Sequence, residues 1–477
     1  MTDRDASRRE LWLAILIGVL GCVVRGYYYL RLGGQLHPDE IFQYIEPAHW
    51  KIHGYGHLAW EFEKGARNYA LSGLYSHFLR IGAWLDMGRY ELHRAIWCFD
   101  ATLTLFLIPA GWRLGQVLAP SRRHLAWTLA LLGAVFPVFG YFSVHTLSEL
   151  HALVLATWGH VLWLDLVQER EARRGRQLAL SAGLLFGLAF IIRYACAILV
   201  LVAAFDVLRS PRRRHLLWFG LAAAAPFVFI GLVDWAEWGR PFGSFYEYIR
   251  VNVGEKYAQR HGVEPWIFYL VQLRDTFGWS AIPVVAGVLV SVVTRPRLTL
   301  AWLVPLAGYS LFAHKELRFI IPVLPLILAA AVVGLDDLAA WRARIASSRV
   351  EWRWHTLAGA GLLTWMLASV FISVQGWSTG KERGYFVAQD HVGEQDEASG
   401  LMVGTTRFYI GGYTLTHRNI PWVFFKVELL DHPLFNYVAV SGDFEINIMQ
   451  RRQDFALVEE IEGVFLFRRK TPGSFLQ

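Results

Sequence analysis

Apolar runs close to 20 residues long recur along most of this chain, and they constrain its fold more than any other feature. A run of that length is what an α-helix needs to cross a hydrocarbon core about 30 Å thick. Only helices and closed barrels satisfy their own backbone inside a bilayer, so repeated runs specify a multi-spanning helical membrane protein. Candidate spans fall at 11–30, 94–118, 124–143, 146–167, 177–191, 194–208, 215–235, 280–294, 299–313, 318–334 and 355–374, about 11 transmembrane helices. Composition agrees: 55% of the 477 residues are hydrophobic and 18% are charged. An ordinary soluble domain has roughly 25% charged residues.

Charge placement sets the expected orientation. Arg4, Arg8 and Arg9 precede the first span, and further arginines gather at every second connection. They are Arg122 and Arg123, then Arg170, Arg173, Arg174 and Arg176, then Arg209, Arg212, Arg213 and Arg214. Arg295 and Arg297, and then Arg342, Arg344, Arg349 and Arg353, continue the series. By the positive-inside rule the N-terminus faces the cytoplasm, and the 31–93 loop, the 236–279 loop and the C-terminal segment face outward. The net charge of +7 therefore calls for no nucleic-acid partner. Cys22, Cys98 and Cys196 each sit in an apolar run and read as small core residues. Leu11 to Leu30 is long for a cleaved signal peptide and reads as a retained first span. Arginine greatly outnumbers lysine, which points to a GC-rich genome and a bacterial inner membrane, or the endoplasmic reticulum in a eukaryote.

Past residue 374 the pattern changes. Apolar runs shorten to strand length at 401–403, 422–425, 436–440 and 464–467, with Gly411-Gly412 and Ser441-Gly442-Asp443 as turns. The expected architecture is mainly α, a polytopic membrane module over 1–374 followed by a small extracytoplasmic α/β domain over 375–477. In the first loop, 72–86 reads as an amphipathic helix lying on the membrane surface.

Three stretches carry chemistry. His37-Pro38-Asp39-Glu40-Ile41-Phe42-Gln43-Tyr44-Ile45-Glu46 places three carboxylates and a histidine at the edge of the bilayer. Pro38 is pre-shaped for a first helical turn, and Asp39 and Glu40 suit its positive end. Such an acid can take a proton from a water-borne substrate beside a lipid-borne one; alternatively the acids only cap and solubilise a helix. His314-Lys315-Glu316-Leu317-Arg318-Phe319 lies between two apolar spans, and Arg193 stands alone inside a third apolar stretch, where charge is costly. His314, Lys315, Arg318 and Arg193 together would suit a phosphate. Alternatively Lys315 pairs with Glu316 and all of them snorkel to the interface.

These landmarks, in this order, resemble glycosyltransferase family 22, the polytopic mannosyltransferases of GPI-anchor and N-glycan assembly. His37-Pro38-Asp39-Glu40, Gln43, Glu46 and His49 resemble its first-loop signature, continued by Gly54-Tyr55-Gly56, Trp60-Glu61 and Arg67. His145-Thr146-Leu147-Ser148-Glu149 resembles an Arg-Thr-aromatic-Ser-Asn stretch, with His in place of Arg. Arg193, then Asp234, Trp238-Gly239, Asn252, Gly262, Pro265-Trp266 and Tyr269, then the 314–319 stretch with Pro322 and Pro325 complete the series over roughly 10–335. Asn68-Tyr69-Ala70 departs from the Ser and Pro that usually follow the arginine.

The resemblance implies a GT-C fold with its active site on the outer or luminal side. It implies inverting transfer of mannose or a similar hexose from a polyprenyl-phosphate sugar donor to a glycan or glycolipid acceptor. Asp39 is then the best-placed base, with Glu40 its rival. His37, Gln43, Glu46, His49, Trp60, Glu61, Arg67, Arg193, His314, Lys315, Glu316 and Arg318 become substrate-binding candidates. No Asp-x-Asp or His-rich arrangement suits a metal, so neither a divalent ion nor another cofactor is expected. The competing classes are a lipid-phosphate or glycolipid transporter and a non-catalytic scaffold. Against the transporter, the chain has no paired halves and no inverted repeat.

Overall fold

The computed structural model describes residues 3–32, 37–346, 351–377, 383–404 and 410–470. Arg349, and the side chains of Arg4, Arg344 and Arg353, lie outside that description. Each apolar stretch read as a span is helical, either as one helix or as two in tandem. Among the described residues, six helical segments are long and apolar enough to cross a membrane on length and composition alone. They are Arg8–Arg31, Arg89–Leu118, Ala172–Ile192, Arg213–Trp238, Phe268–Thr294 and Leu317–Arg342. The protein is a multi-pass, mainly helical membrane protein with a small mixed sheet near its C-terminal end. The chain packs as two compact units.

The first unit comprises 1–28, 100–144 and 148–377. Lipid tails are as apolar as leucine, so helices in a bilayer associate through close packing at small residues. This unit uses that device repeatedly. A Cβ on Gly111 would lie 2.3 Å from the Leu129 carbonyl oxygen, and one on Gly133 would lie 2.5 Å from that of Leu107. Leu107–Leu118 and Arg123–Val135 therefore touch backbone to backbone. Gly183 and Gly187 bring Ala172–Ile192 equally close to the Phe219 and Ala223 carbonyls of Leu216–Trp238.

Three helix interruptions matter more than the helices. Phe136 is extended ahead of Pro137, as the residue before a proline tends to be, and Arg123–Val135 ends there. Arg25, 3% exposed, donates to the Gly133 carbonyl (2.8 Å), the Ala134 carbonyl and Thr104 Oγ1 (3.1 Å), so a buried guanidinium caps the broken helix. Ala172–Ile192 stops at Arg193, whose backbone is extended. Pro296–Ser310 gives way to a 3₁₀ stretch, Leu317–Val323, before Leu324–Ala346 begins. Backbone groups freed where a helix breaks must find other partners, and the last two interruptions hold the expected cations.

The second unit comprises 29–99, 145–147 and 378–477. Its sheet contains β1 (Leu401–Gly404), β2 (Trp422–Phe424), β3 (Tyr437–Val440), β4 (Phe455–Ile461) and β5 (Val464–Arg469), in the order β2-β1-β3-β5-β4. β1 runs parallel to β2 and β3, whereas β5 is antiparallel to β3 and β4. Met402, Leu430, Val438, Val440, Met449, Phe455 and Phe467 form its core. Leu401–Gly404 and Tyr437–Val440 are buried along their whole length and carry no alternation, as strands covered on both faces do. β4 escaped the sequence reading because five of its seven residues are exposed. The amphipathic helix expected at 72–86 forms as Ala70–Trp84.

Candidate active site

The expected site residues fall into two constellations, one in each unit. In the second unit the chain is helical from Pro38 to His53, with a wider π-helical turn at Glu40–Ile45. π-Turns insert one residue into a helix and are common at functional sites. Asp39 and Glu40, neighbours in sequence, stand in unlike surroundings. The Asp39 side chain is 21% exposed; its amide donates to His37 Nδ1 (3.2 Å), which lies 3.3 Å from Asp39 Oδ1. Glu40 is buried, and its carboxylate accepts the amides of His37 (2.9 Å) and Thr146 (3.2 Å) and stands 3.2 Å from His145 Nδ1.

One turn on, Gln43 donates to Glu61 (2.6 Å), and Arg67 approaches Glu61 at 3.9 Å while donating to the Tyr44 hydroxyl (3.2 Å). Trp60 opens the short helix Trp60–Glu63 that carries Glu61, and Lys64 stands over its ring. Glu46 is fully buried and accepts two backbone amides, Thr414 at 2.7 Å and His57 at 2.8 Å. Burial pushes its carboxyl up to about 7, against the pull of those hydrogen bonds. A Cβ on Gly412 would come within 2.4 Å of Glu46 Oε1, so glycine is required there. His49 bonds the Tyr55 carbonyl through Nδ1 (3.0 Å) and lies among the rings of His53 and His417 at 4.3 and 5.2 Å. Burial, and then the two neighbouring imidazoles, push His49 down to about 3.

In the first unit, Arg193 donates to Glu149 (2.8 Å), and Arg318 approaches the same Glu149 oxygen at 3.5 Å. Arg318 also binds Glu316 through Nε (2.7 Å) and Nη2 (3.1 Å). The two guanidiniums share the Phe319 ring, at 4.5 and 5.4 Å from its centroid. His314 bridges Glu316 (3.1 Å) and the Gly262 carbonyl (3.2 Å), and the Glu316 bond raises its pKa. Lys315 donates to the Glu264 carbonyl (2.7 Å) rather than pairing with Glu316. Such an array of fixed cations can stabilise phosphate charge. Among the described residues no group of three or more His, Cys, Asp or Glu side chains is arranged to hold a metal ion.

The sequence model of the Alg9-like mannosyltransferase family matches residues 19–379. The chain belongs to that family. Among its relatives, GPI mannosyltransferase 3 of Drosophila melanogaster is 26% identical over 381 residues, covering 73% of this chain and 59% of the fly protein. The alignment thus spans less than two thirds of that relative. The apo crystal structure of ArnT from Cupriavidus metallidurans shares the fold at a TM-score of 0.63 and 13% identity, over 96% of this chain and 98% of ArnT. ArnT has also been solved bound to undecaprenyl phosphate. The archaeal oligosaccharyltransferase AglB from Archaeoglobus fulgidus, in complex with an inhibitory peptide and a dolichol-phosphate, matches at 0.57 and 14% identity, over 91% of this chain and 69% of AglB. The architecture is of the GT-C type.

In this Alg9-like chain the sequence alone gives no role to Glu149, the shared partner of Arg193 and Arg318. A carboxylate opening a helix as apolar as Ser148–Leu166 was the available signal. Thr414 and His417 carry no such signal as partners of Glu46 and His49, because nothing local ties residues in the forties to residues past 410.

Proposed function

We propose that the protein is an inverting mannosyltransferase that moves mannose, or a closely related hexose, from a polyprenyl-phosphate donor to a hydroxyl of a lipid-linked or surface glycan. The transfer takes place at the outer face of the membrane. Asp39 takes the proton of the acceptor hydroxyl as its oxygen bonds to the sugar's anomeric carbon. The bond from that carbon to the phosphate oxygen breaks, and its electron pair leaves with the lipid phosphate. Lys315, Arg318 and Arg193 stabilise the charge that develops there, and His314 assists by orienting Glu316.

The observation that carries this reading is the contrast between the two adjacent acids. Glu40 is buried and spends its oxygens on the Thr146 and His37 amides, which suits an anchor. Asp39 keeps part of its carboxylate accessible at the start of a helix, which suits a base. The lipid phosphates bound in ArnT and AglB support a lipid-phosphate donor. Glu46 and His49, expected to touch substrate, are better read as supports for this loop.

The test is transfer by the purified protein in nanodiscs, given labelled polyprenyl-phosphate mannose and a panel of glycan acceptors. Asp39→Asn should lose at least ~10²-fold in kcat while its melting temperature holds, as removal of a positioned base does. Wild-type turnover surviving in that variant would discard Asp39.

A further inference from the structure

Glu149 has a place in the first unit that the proposed chemistry leaves unexplained: it is a carboxylate set among groups that are supposed to bind an anion. It is 1% exposed, opens the helix Ser148–Leu166, and accepts Ser148 Oγ (3.0 Å) through the oxygen not used by Arg193. Its other oxygen serves both Arg193 and Arg318. Phe319 lies under both guanidiniums, so two like charges are held close by one ring and one carboxylate. Arg193 Nε is buried and has no hydrogen-bond partner among the described residues, so a donor of that side chain is left for an anion.

Charge within the cluster is nearly balanced. Arg193 and Arg318 are matched one for one by the carboxylates of Glu149 and Glu316, and Lys315 of the same 314–319 stretch, held on the Glu264 carbonyl, adds one net positive charge. His314 adds to it only on protonation, and it is tied to Glu316. A sugar phosphodiester carries a single negative charge, whereas the lipid phosphomonoester left after transfer carries a second one near neutral pH. Resting on the donor reading above, we infer that Glu149 is a positioning residue. It holds Arg193 and Arg318 in place and sets the cluster's net charge, so that the cluster accepts a singly charged phosphodiester and lets the doubly charged monoester go. Without this carboxylate the same cations would bind product too well. Donor affinity is thus limited in exchange for turnover.

The test compares wild type with Glu149→Gln, which keeps shape and removes charge, and with Glu149→Asp, which keeps charge. The binding of undecaprenyl phosphate to full-length protein in nanodiscs is measured alongside kcat and the KM for polyprenyl-phosphate mannose. A unit charge removed a few ångströms from a bound anion changes its affinity by about tenfold or more. The Gln variant should therefore bind undecaprenyl phosphate at least about tenfold more tightly, with lower kcat and a donor KM that does not rise. The Asp variant should restore the wild-type pattern. If the Gln variant does not fold, Glu149→Asn takes its place. Unchanged product affinity in the neutral variants, or equal weakening of donor and product, would overturn the inference. If wild type binds undecaprenyl phosphate yet transfers no sugar, the transferase reading fails while the affinity comparison still decides the role of Glu149. If wild type binds no lipid phosphate, both fail.

Discussion

Replacing Glu46 with glutamine should produce a stability difference that changes sign with pH. Glu46 is fully buried, and its pKa is pushed up to about 7 from 4.5. A carboxyl whose folded pKa is raised holds its proton in the folded state while the unfolded chain has already released it. Its stabilising contribution is therefore complete below the unfolded pKa near 4.5 and is lost as pH rises towards 7. The rise from 4.5 to about 7 corresponds to about 3 kcal/mol of stability lost across that window. Glutamine does not titrate. It retains one acceptor for the Thr414 and His57 amides but offers an NH₂ to the other, which costs about 1–2 kcal/mol. At pH 4.5 the variant should therefore be less stable than wild type by about 1–2 kcal/mol, and above pH 7 more stable by a similar amount. His49, His53 and His417 titrate in both proteins, so their contribution cancels in the difference. Paired thermal melts in one detergent, from pH 4.5 to 8, read the difference directly. A gap in melting temperature that stays constant, or one that favours wild type increasingly at high pH, would refute the assignment of burial as the dominant cause.

Gly412→Ala should destabilise by about 1–3 kcal/mol, because the new methyl group meets a carboxylate that two amides hold in place; a melting temperature within a degree of wild type would contradict this. Arg25→Leu leaves the Gly133 and Ala134 carbonyls without their cap in a buried setting and should cost about 2–4 kcal/mol. Thermal melts in nanodiscs check it, and Arg25→Lys should recover only part of the loss, since one ammonium cannot span the same acceptors.

What was legible in the sequence follows from how local each signal is. Apolar runs such as 216–238 and 172–192 report their own helical state, because the bilayer demands that they hydrogen-bond internally. The helix opening at Pro38 was legible for a similar reason: proline and two acids mark a first turn wherever it occurs. Phe455–Ile461 was not legible, since an edge strand with exposed Glu459 and Glu460 lacks a buried face to announce it. The cations at 193 and 314–318 stood out because charge is rare in such surroundings. Their sharing of Glu149 needed three dimensions, because Glu149 and Arg318 are far apart in sequence and either could have paired elsewhere. The same holds for Lys315, whose partner is a backbone carbonyl and carries no sequence signature at all.

The clasp between Glu46 and Thr414 joins residues separated by 368 positions. At ordinary synthesis rates of about 5–20 residues per second, roughly 20–70 s pass between the emergence of one and of the other. Throughout that interval Glu46 lacks the amide of Thr414 and His49 lacks the ring of His417, so the carboxylate that is buried in the folded protein stays in water. The membrane helices, whose contacts are largely between near neighbours in the chain, have time to insert first. The unit that holds Asp39 thus matures last, and a ribosome that stalls short of residue 414 leaves behind the long apolar helices, the last of them ending at Gln375, with the acidic loop unlatched.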